Sequence, residues 1–136
     1  MKLYYTPGAC SLASHIVLCE SGLPYTLERV DLRNKTIADG RDFLAINPLG
    51  YVPVLELNNG EMLTEGTAIL FYLADRVPNL GLVPPAGEVA RYRLLAWLNF
   101  IGSELHKNFS PLFGKDTPAE YKAQVSARLA TRFAHV

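Results

Sequence analysis

The sequence predicts an α/β domain followed by an all-helical region, and three observations indicate this order. Short apolar runs bounded by Gly, Pro or Asn alternate with helix-length segments over residues 1–77. Three prolines then fall within residues 78–87, where they are expected to interrupt any helix or strand. Residues 88–136 carry helix start signals and apolar residues at helical spacing, so this part is predicted to be helical throughout.

The first three predicted elements form a β-α-β unit. Lys2–Tyr5 is a short apolar strand, and Ser11–Glu20 is a helix with Gly22 as its expected C-cap. Tyr25–Leu32 alternates in the manner of a strand. Because a helix crosses over between the two strands, they are expected to be parallel.

The next segment is predicted to contain a loop, a short helix and a hairpin. Arg33–Gly40 is polar and is expected to be loop, and Asp42–Ile46 is expected to be a short helix that the following Asn-Pro pair stops. Val52–Leu57 has the pattern of a strand. Asn59 and its following Gly form a strong hairpin signal, after which Glu61–Leu63 is expected to return antiparallel.

A last helix completes the first domain. Thr64–Asp75 has the length and the apolar face of a helix. The element order is therefore β-α-β-(α)-β-β-α, which is the order of a thioredoxin-like domain. We accordingly divide the chain into a domain at residues 1–77, a linker at residues 78–87 and the start of an all-helical domain at residues 88–136.

Two helices are predicted beyond the linker. Glu88–Phe109 is long and apolar. Thr117 is the expected N-cap of the next helix, with Pro118 at its first position and Glu120 three residues past the cap. This helix carries an apolar stripe formed by Tyr121, Val125, Leu129, Phe133 and Val136. Two helices cannot enclose a core and the stripe continues to the last residue, so we expect an incomplete helical domain and a truncated chain.

Composition and charge argue against several classes of function. The 136 residues include 13 basic and 13 acidic side chains, so charge gives no basis for binding nucleic acid or an anionic membrane. No segment has the ~18 consecutive apolar residues of a membrane span, and no secretory signal is recognisable. No cluster of His, Cys or carboxylates has metal-ligand spacing. Cys10 and Cys19 would lie about 13 Å apart on one helix, too far for a disulfide, so we expect a cytoplasmic protein.

The stretch Tyr4–Leu12 places a cysteine at the turn between the first strand and the first helix. There Cys10 faces the positive end of the helix dipole, where unpaired backbone N–H groups stabilise a thiolate. We therefore predict that Cys10 is a reactive thiol. Cys19, farther along the same helix, is expected to be a small core residue.

Two further features fit a peptide-like ligand. Pro53 leads directly into a strand, where a cis proline would expose the backbone of Val52 for pairing and a trans proline would simply start the strand. Glu65 and Gly66 open a helix, where free N–H groups could take the carboxylate of an α-amino acid and Glu65 its ammonium. The structural alternative is that Thr64 is the N-cap and Glu65 a favourable first-turn acid.

A reactive thiol, a strand-like backbone and an amino-acid pocket together describe a site for glutathione. The chain resembles the bacterial beta-class glutathione S-transferases in four separate stretches. These are YYTPGACSLASHI, FLAINPLGYVPVL, LTEGTAILFYLAD and WLNFIGSELHKNFSPLF. Because they occur in order along the whole chain, the resemblance covers both predicted domains.

The resemblance implies a transferase that uses glutathione as co-substrate and needs no cofactor. It implies that Cys10 contacts the glutathione sulfur and can form a mixed disulfide with it. It also implies that Lys35 reaches the glycine carboxylate and that Val52, before cis Pro53, pairs with the ligand backbone. The resemblance further implies that Glu65 and Gly66 hold the γ-glutamyl group.

The resemblance implies further glutathione contacts in the helical region, partly across a homodimer interface. They are made by Asn99, Ser103, Glu104, Leu105 and His106. Spacing alone puts Asn99, Ser103 and His106 on one helical stripe, which is either a binding face or a solvated face. Glu104 is expected to point away from that stripe, toward another subunit or water. His106 is the expected proton donor or thiolate partner, and thus a second catalytic residue.

Three functional interpretations follow from these residues. The first is a detoxification enzyme that conjugates the glutathione thiol to small apolar electrophiles. The second is a glutathione-dependent thiol-disulfide reductase or peroxidase that uses Cys10 alone, because the sequence has no C-x-x-C pair. The third is a non-catalytic ligand-binding or regulatory protein with the same fold.

Overall fold

The computed structural model describes residues 1–136, which divide into two compact units, Met1–Pro85 and Ala86–Val136. The first unit contains a five-stranded sheet and two α-helices, whereas the second is entirely helical. None of the helices combines the length and the apolar character that crossing a membrane requires. No group of three or more His, Cys, Asp or Glu side chains is arranged to hold a metal ion.

The elements of the first unit follow the predicted order and confirm the thioredoxin-like arrangement. Its strands are β1 (Lys2–Tyr5), β2 (Thr26–Asp31), β3 (Thr36–Ile37), β4 (Val54–Glu56) and β5 (Met62–Leu63). Its α-helices are α1 (Ser11–Ser21) and α2 (Gly66–Asp75), with 3₁₀ turns at Phe43–Ala45 and Pro78–Leu80. The sheet order is β3-β2-β1-β4-β5; β1 and β2 are parallel, as predicted, and all other pairs are antiparallel.

Two predictions about the loops of this unit are wrong. The range Arg33–Gly40 is not all loop, because Thr36–Ile37 pairs with β2 to form the edge strand β3. Ile37 is only 4% exposed, so burial of its side chain holds this short strand on the sheet. The proline-rich range also contains a helical turn at Pro78–Leu80, since proline at a first helical position lacks only an N–H that would be unpaired anyway.

Each face of the sheet has its own core, because neighbouring residues along a strand point to opposite sides. On one face, Leu3 and Leu55 pack against Leu18 of α1 and against Ile69 and Leu73 of α2. The opposite face buries Tyr4, Val30, Ile37, Phe43, Val52 and Val54. The core on this opposite face includes Val52, which lies just before β4. Burial of the Val52 side chain holds the backbone that leads into the strand.

The buried face of α1 is made largely of serines. Its inward residues are Ser11, Ser14, Leu18 and Ser21. The prediction that Cys19 is a core residue is wrong, because each residue turns about 100° around the axis and the one after Leu18 leaves the buried face. Cys19 Sγ lies 3.1 Å from the Tyr25 hydroxyl, which also lies 3.2 Å from Nε2 of His15. The hydrogen bond with Cys19 raises the pKa of Tyr25.

The second unit is a run of helical segments. Helix α3 (Val89–Phe100) continues into a π-helical segment (Ile101–His106), a 3₁₀ turn (Lys107–Phe109) and the short α4 (Ser110–Phe113), and α5 spans Ala119–Phe133. The core of this unit consists of Leu105, Val125 and Leu129, with Phe100, Phe109 and Leu112 packed against them.

Helix α5 differs from its prediction in two details. Pro118 has extended dihedrals, so the helix begins at Ala119 and Thr117 is not its N-cap. The predicted apolar stripe is buried only at its centre. Val125 and Leu129 are buried, whereas Tyr121, Phe133 and Val136 are 42%, 51% and 73% exposed. The residues that pack on α5 therefore cover the middle of its apolar face and not its ends.

Candidate functional site

Cys10 lies where the sequence predicts, at the turn between β1 and α1. It occupies the N-cap position of α1 and its side chain makes no capping hydrogen bond. The first N–H groups of an α-helix have no acceptor within the helix, so the thiol lies beside the positive end of α1. The side chain is exposed and therefore accessible to a dissolved reactant.

The turn that carries Cys10 is closed by a buried hydroxyl group. The Ser11 side chain is fully buried; it accepts a hydrogen bond from the Thr6 N–H at 3.2 Å and donates one to the Thr6 carbonyl at 3.3 Å. The Thr6 hydroxyl in turn donates to the Val30 carbonyl at 2.8 Å, which ties the turn to β2. The position of Cys10 is thus set by hydrogen bonds on both sides of the turn.

The thiol contacts the backbone that leads into β4. Cys10 Sγ donates a hydrogen bond to the Val52 carbonyl at 3.2 Å. The sequence left open whether the peptide bond between Val52 and Pro53 is cis or trans, and in the structure it is cis. The fold therefore brings together two predicted residues that are 42 positions apart in the chain.

Lys35 contacts the same backbone segment two residues earlier. Its ammonium donates a hydrogen bond to the Gly50 carbonyl at 2.9 Å. Lys35 has a φ of 57°, a left-handed conformation that is uncommon outside glycine, and its carbonyl accepts from the Phe43 N–H at 2.7 Å. Gly50 was not predicted to take part in the site. The Asn-Pro-Leu-Gly turn that ends there is the sequence signal that could have identified it.

Glu65 and Gly66 lie at the start of α2. Glu65 is the N-cap, so the alternative in which Thr64 caps the helix is wrong. Glu65 has φ 66° and ψ 117°, and such a backbone costs a non-glycine residue about 1–3 kcal/mol. Its exposed side chain makes no capping hydrogen bond, which leaves the carboxylate beside the unpaired N–H groups of the first turn.

Three predicted residues of the second unit, Asn99, Ser103 and His106, have exposed side chains. The π-helical segment Ile101–His106 changes their relation, because hydrogen bonds to the fifth residue widen the turn and shift later residues around the axis. The common stripe predicted from α-helical spacing stays a prediction, and all three side chains are exposed to solvent.

Two other predicted residues of this unit are engaged within it. Oε2 of Glu104 accepts a hydrogen bond from Nε of Arg132 on α5 at 2.8 Å, a partner that the sequence did not indicate. Leu105 is 8% exposed and packs on Val125 and Leu129. The side chain of Leu105 is therefore committed to the core, and only its backbone is left for a ligand.

Comparisons with known proteins agree with this geometry. Residues 8–76 match the family model described as Glutathione S-transferase, N-terminal domain. The chain is 54% identical over 136 residues to glutathione S-transferase GstA of Escherichia coli O157:H7; the match covers 100% of this chain and 68% of that protein.

Two solved structures have the same fold at high similarity. One is a sphingomonad glutathione S-transferase complexed with glutathione, with a TM-score of 0.95 and 49% identity over 99% of this chain and 67% of that one. The other is a bacterial beta-class glutathione S-transferase from Sphingomonas chungbukensis, with a TM-score of 0.94 and 46% identity over 99% and 67% of the two chains. The present chain thus spans about two thirds of the length of each of these proteins.

Proposed function

The chain belongs to the glutathione S-transferase family, and from this premise we propose that it joins the thiol of glutathione to small apolar electrophiles. The observation that carries the proposal is the exposed Cys10 thiol at the start of α1, 3.2 Å from the Val52 carbonyl. A glutathione sulfur beside Cys10 meets the positive end of the α1 dipole. Fixed dipoles of this kind stabilise the anionic sulfur, which is the nucleophile of the reaction.

The three parts of glutathione match three groups of the first unit. The Val52 backbone offers hydrogen bonds to the central cysteine, in the way that an extended peptide adds to a strand. The Lys35 ammonium complements the glycine carboxylate. Glu65 complements the γ-glutamyl ammonium, and the N–H of Gly66 complements the carboxylate on the same carbon.

In the proposed conjugation, glutathione supplies the electron pair of the new bond. Its sulfur loses the thiol proton to water or a side-chain base and then bonds to the electrophilic carbon, and the leaving group departs with the electrons of the bond that breaks. Cys10 donates a hydrogen bond to the glutathione sulfur and so favours its anionic form. His106 is the proposed second proton donor.

We also propose a homodimer in which Asn99, Ser103 and His106, all exposed, bind glutathione together with Glu104 and the backbone of Leu105. We propose a cytoplasmic location, because a reducing compartment would keep the two exposed cysteines as thiols.

A glutathione-dependent thiol-disulfide reductase or peroxidase is the second candidate, and the exposure of Cys10 favours it. The Cys10 thiolate attacks one sulfur of a disulfide, the S–S bond breaks, and the other sulfur leaves as a thiolate. Glutathione then attacks the mixed disulfide and releases Cys10. This route needs a protein thiol, whereas conjugation needs only the thiol of glutathione.

The test compares the wild-type protein with Cys10→Ser and Cys19→Ser variants in two reactions, conjugation of a chromogenic aryl halide and glutathione-dependent reduction of a disulfide. We expect Cys10→Ser to keep part of the conjugation, because the reacting sulfur belongs to glutathione, and to lose the reduction. Cys19→Ser should keep both. A wild-type protein that reduces the disulfide but does not conjugate at saturating glutathione would overturn the proposal in favour of the reductase.

A further inference from the structure

Taking the proposed glutathione site as given, we infer that Gly50 positions the Lys35 ammonium and thereby makes the site select peptides that continue one residue beyond the cysteine. The comparison ligand is γ-glutamylcysteine, which has the same γ-glutamyl and thiol groups as glutathione but ends one residue earlier. Gly50 itself touches no reacting atom and acts through Lys35.

The Lys35 side chain is ordered by Gly50 before any ligand arrives. Its Nζ donates a hydrogen bond to the Gly50 carbonyl at 2.9 Å. An ammonium group has three N–H donors, so this bond leaves donors for an incoming carboxylate. Because a long lysine side chain otherwise loses much rotamer freedom on binding, holding it in place beforehand favours the ligand that uses it.

The backbone and the space at position 50 favour glycine. Its φ of 65° lies in the left-handed region, and a Cβ built there would lie 3.0 Å from Cδ2 of Leu44. The same Cβ would lie 3.2 Å from both Cδ and Cε of Lys35. A side chain at position 50 therefore requires its neighbours to give way by a few tenths of an ångström, and this shifts the Lys35 stem beside the carbonyl that holds its ammonium.

The turn that contains Gly50 is held by a buried asparagine. Asn47 is 6% exposed; its Nδ2 donates to the Tyr51 carbonyl at 2.8 Å and its Oδ1 accepts from the Leu49 N–H at 3.2 Å. The Asn47 carbonyl also accepts from the Gly50 N–H at 2.8 Å. These three bonds close the turn on both sides of Gly50, so the orientation of its carbonyl is fixed by the fold.

The spacing of the Lys35 ammonium and the Cys10 thiol fits a ligand in which one more residue follows the cysteine. The Gly50 carbonyl holds the Lys35 ammonium, and the Val52 carbonyl, two residues on, holds the Cys10 thiol. Two residues of backbone span at most about 7 Å, so the two carbonyls that hold the ammonium and the thiol lie near each other. A Cys-Gly end can place its sulfur at Cys10 and its carboxylate at Lys35, whereas the carboxylate of γ-glutamylcysteine falls one residue short.

The experiment measures dissociation constants for glutathione and γ-glutamylcysteine by isothermal titration calorimetry under reducing conditions. Wild-type protein should bind glutathione about 10- to 150-fold more tightly, the range of one charge-assisted hydrogen bond. Gly50→Ala should bring this ratio down several-fold, toward one. The matched control is Gly60→Ala, which introduces the same side chain at a φ of 86° but has no atom within 4 Å of its Cβ; it should keep the wild-type ratio.

The ratio of the two dissociation constants separates a positioning role of Gly50 from a general loss of structure, because misfolding weakens the binding of both ligands together. A wild-type ratio near one would overturn the inference while glutathione binding, and with it the proposed function, still stood. Equal ratios for Gly50→Ala and Gly60→Ala would also overturn it. Should Gly50→Ala fail to fold, Lys35→Met keeps the stem and removes the ammonium, and an undiminished ratio in that variant would contradict the inference. A wild-type protein that bound neither ligand would overturn the glutathione site as well.

Discussion

Two substitutions of Glu65, to alanine and to glycine, should weaken glutathione binding equally but change stability unequally. Both remove the carboxylate that we assign to the γ-glutamyl ammonium. The loss of one charge-assisted hydrogen bond should cost about 1.5–3 kcal/mol of binding, which raises the dissociation constant about 10- to 150-fold. The carboxylate makes no capping hydrogen bond, so folding should not share this loss.

The difference in stability comes from the backbone at this residue. With φ at 66° and ψ at 117°, alanine retains a strain of about 1–3 kcal/mol, whereas glycine adopts these angles without steric cost. Glycine also stabilises the unfolded chain by about 0.4–1 kcal/mol, because it has more conformational freedom there. This offsets part of the stability that glycine gains by removing the strain. The free energy of unfolding should therefore be about 1 kcal/mol higher for Glu65→Gly than for Glu65→Ala.

Urea denaturation followed by circular dichroism measures the stability of both variants, and titration calorimetry with glutathione measures their affinity. Both lose the same charge at the N-terminus of α2, so this contribution cancels in the comparison. Equal unfolding free energies would refute the strain at Glu65. Wild-type affinity in both variants would refute the role assigned to its carboxylate.

Two further predictions concern the core and the charges of the first unit. Phe43→Ala should lower the free energy of unfolding by about 3–5 kcal/mol, since its ring is fully buried beside Tyr4; a loss below about 1 kcal/mol in urea denaturation would contradict this. Hydrogen bonds from Tyr4 and Lys2 lower the pKa of Glu56, so its stabilising effect is complete above the ordinary value of 4.5 and is lost as pH falls through the lower folded value. The free energy of unfolding of the wild type should exceed that of Glu56→Gln by at most about 1 kcal/mol near neutral pH, because the ion pair is partly exposed. A difference between the two proteins that grew as the pH fell would contradict this prediction.

Local signals in the sequence predicted much of the first unit, because certain residues set the backbone where they stand. Gly22 ends α1 in the left-handed conformation with a φ of 64°, and the hairpin at Asn59 forms between β4 and β5 as its turn residues indicate. The meeting of Cys10 with Val52 follows from the order of elements. Strands β1 and β4 are neighbours, so the turn after β1 lies next to the segment before β4.

The features that were not predicted depend on contacts between distant parts of the chain. Strand β3 has two residues, too few for any periodicity, and exists because Thr36–Ile37 pairs with β2. The π-helical segment Ile101–His106 arises from a shift in hydrogen bonding that amino-acid composition does not mark. The exposure of Cys19 follows from a buried face formed mostly by serines, which a search for hydrophobic residues overlooks although their spacing is helical.

The most direct test of the account is covalent capture of glutathione by Cys10. The protein is incubated with glutathione disulfide and analysed by intact mass and peptide mapping, with Cys19→Ser as the control. The Cys10 thiolate attacks one sulfur, and one glutathione leaves as a thiolate. Both cysteines are exposed, so accessibility alone predicts equal modification. The proposed site predicts one reductant-sensitive adduct on the Cys10 peptide, unchanged in Cys19→Ser; equal adducts on both cysteines, or an adduct on Cys19 alone, would contradict it.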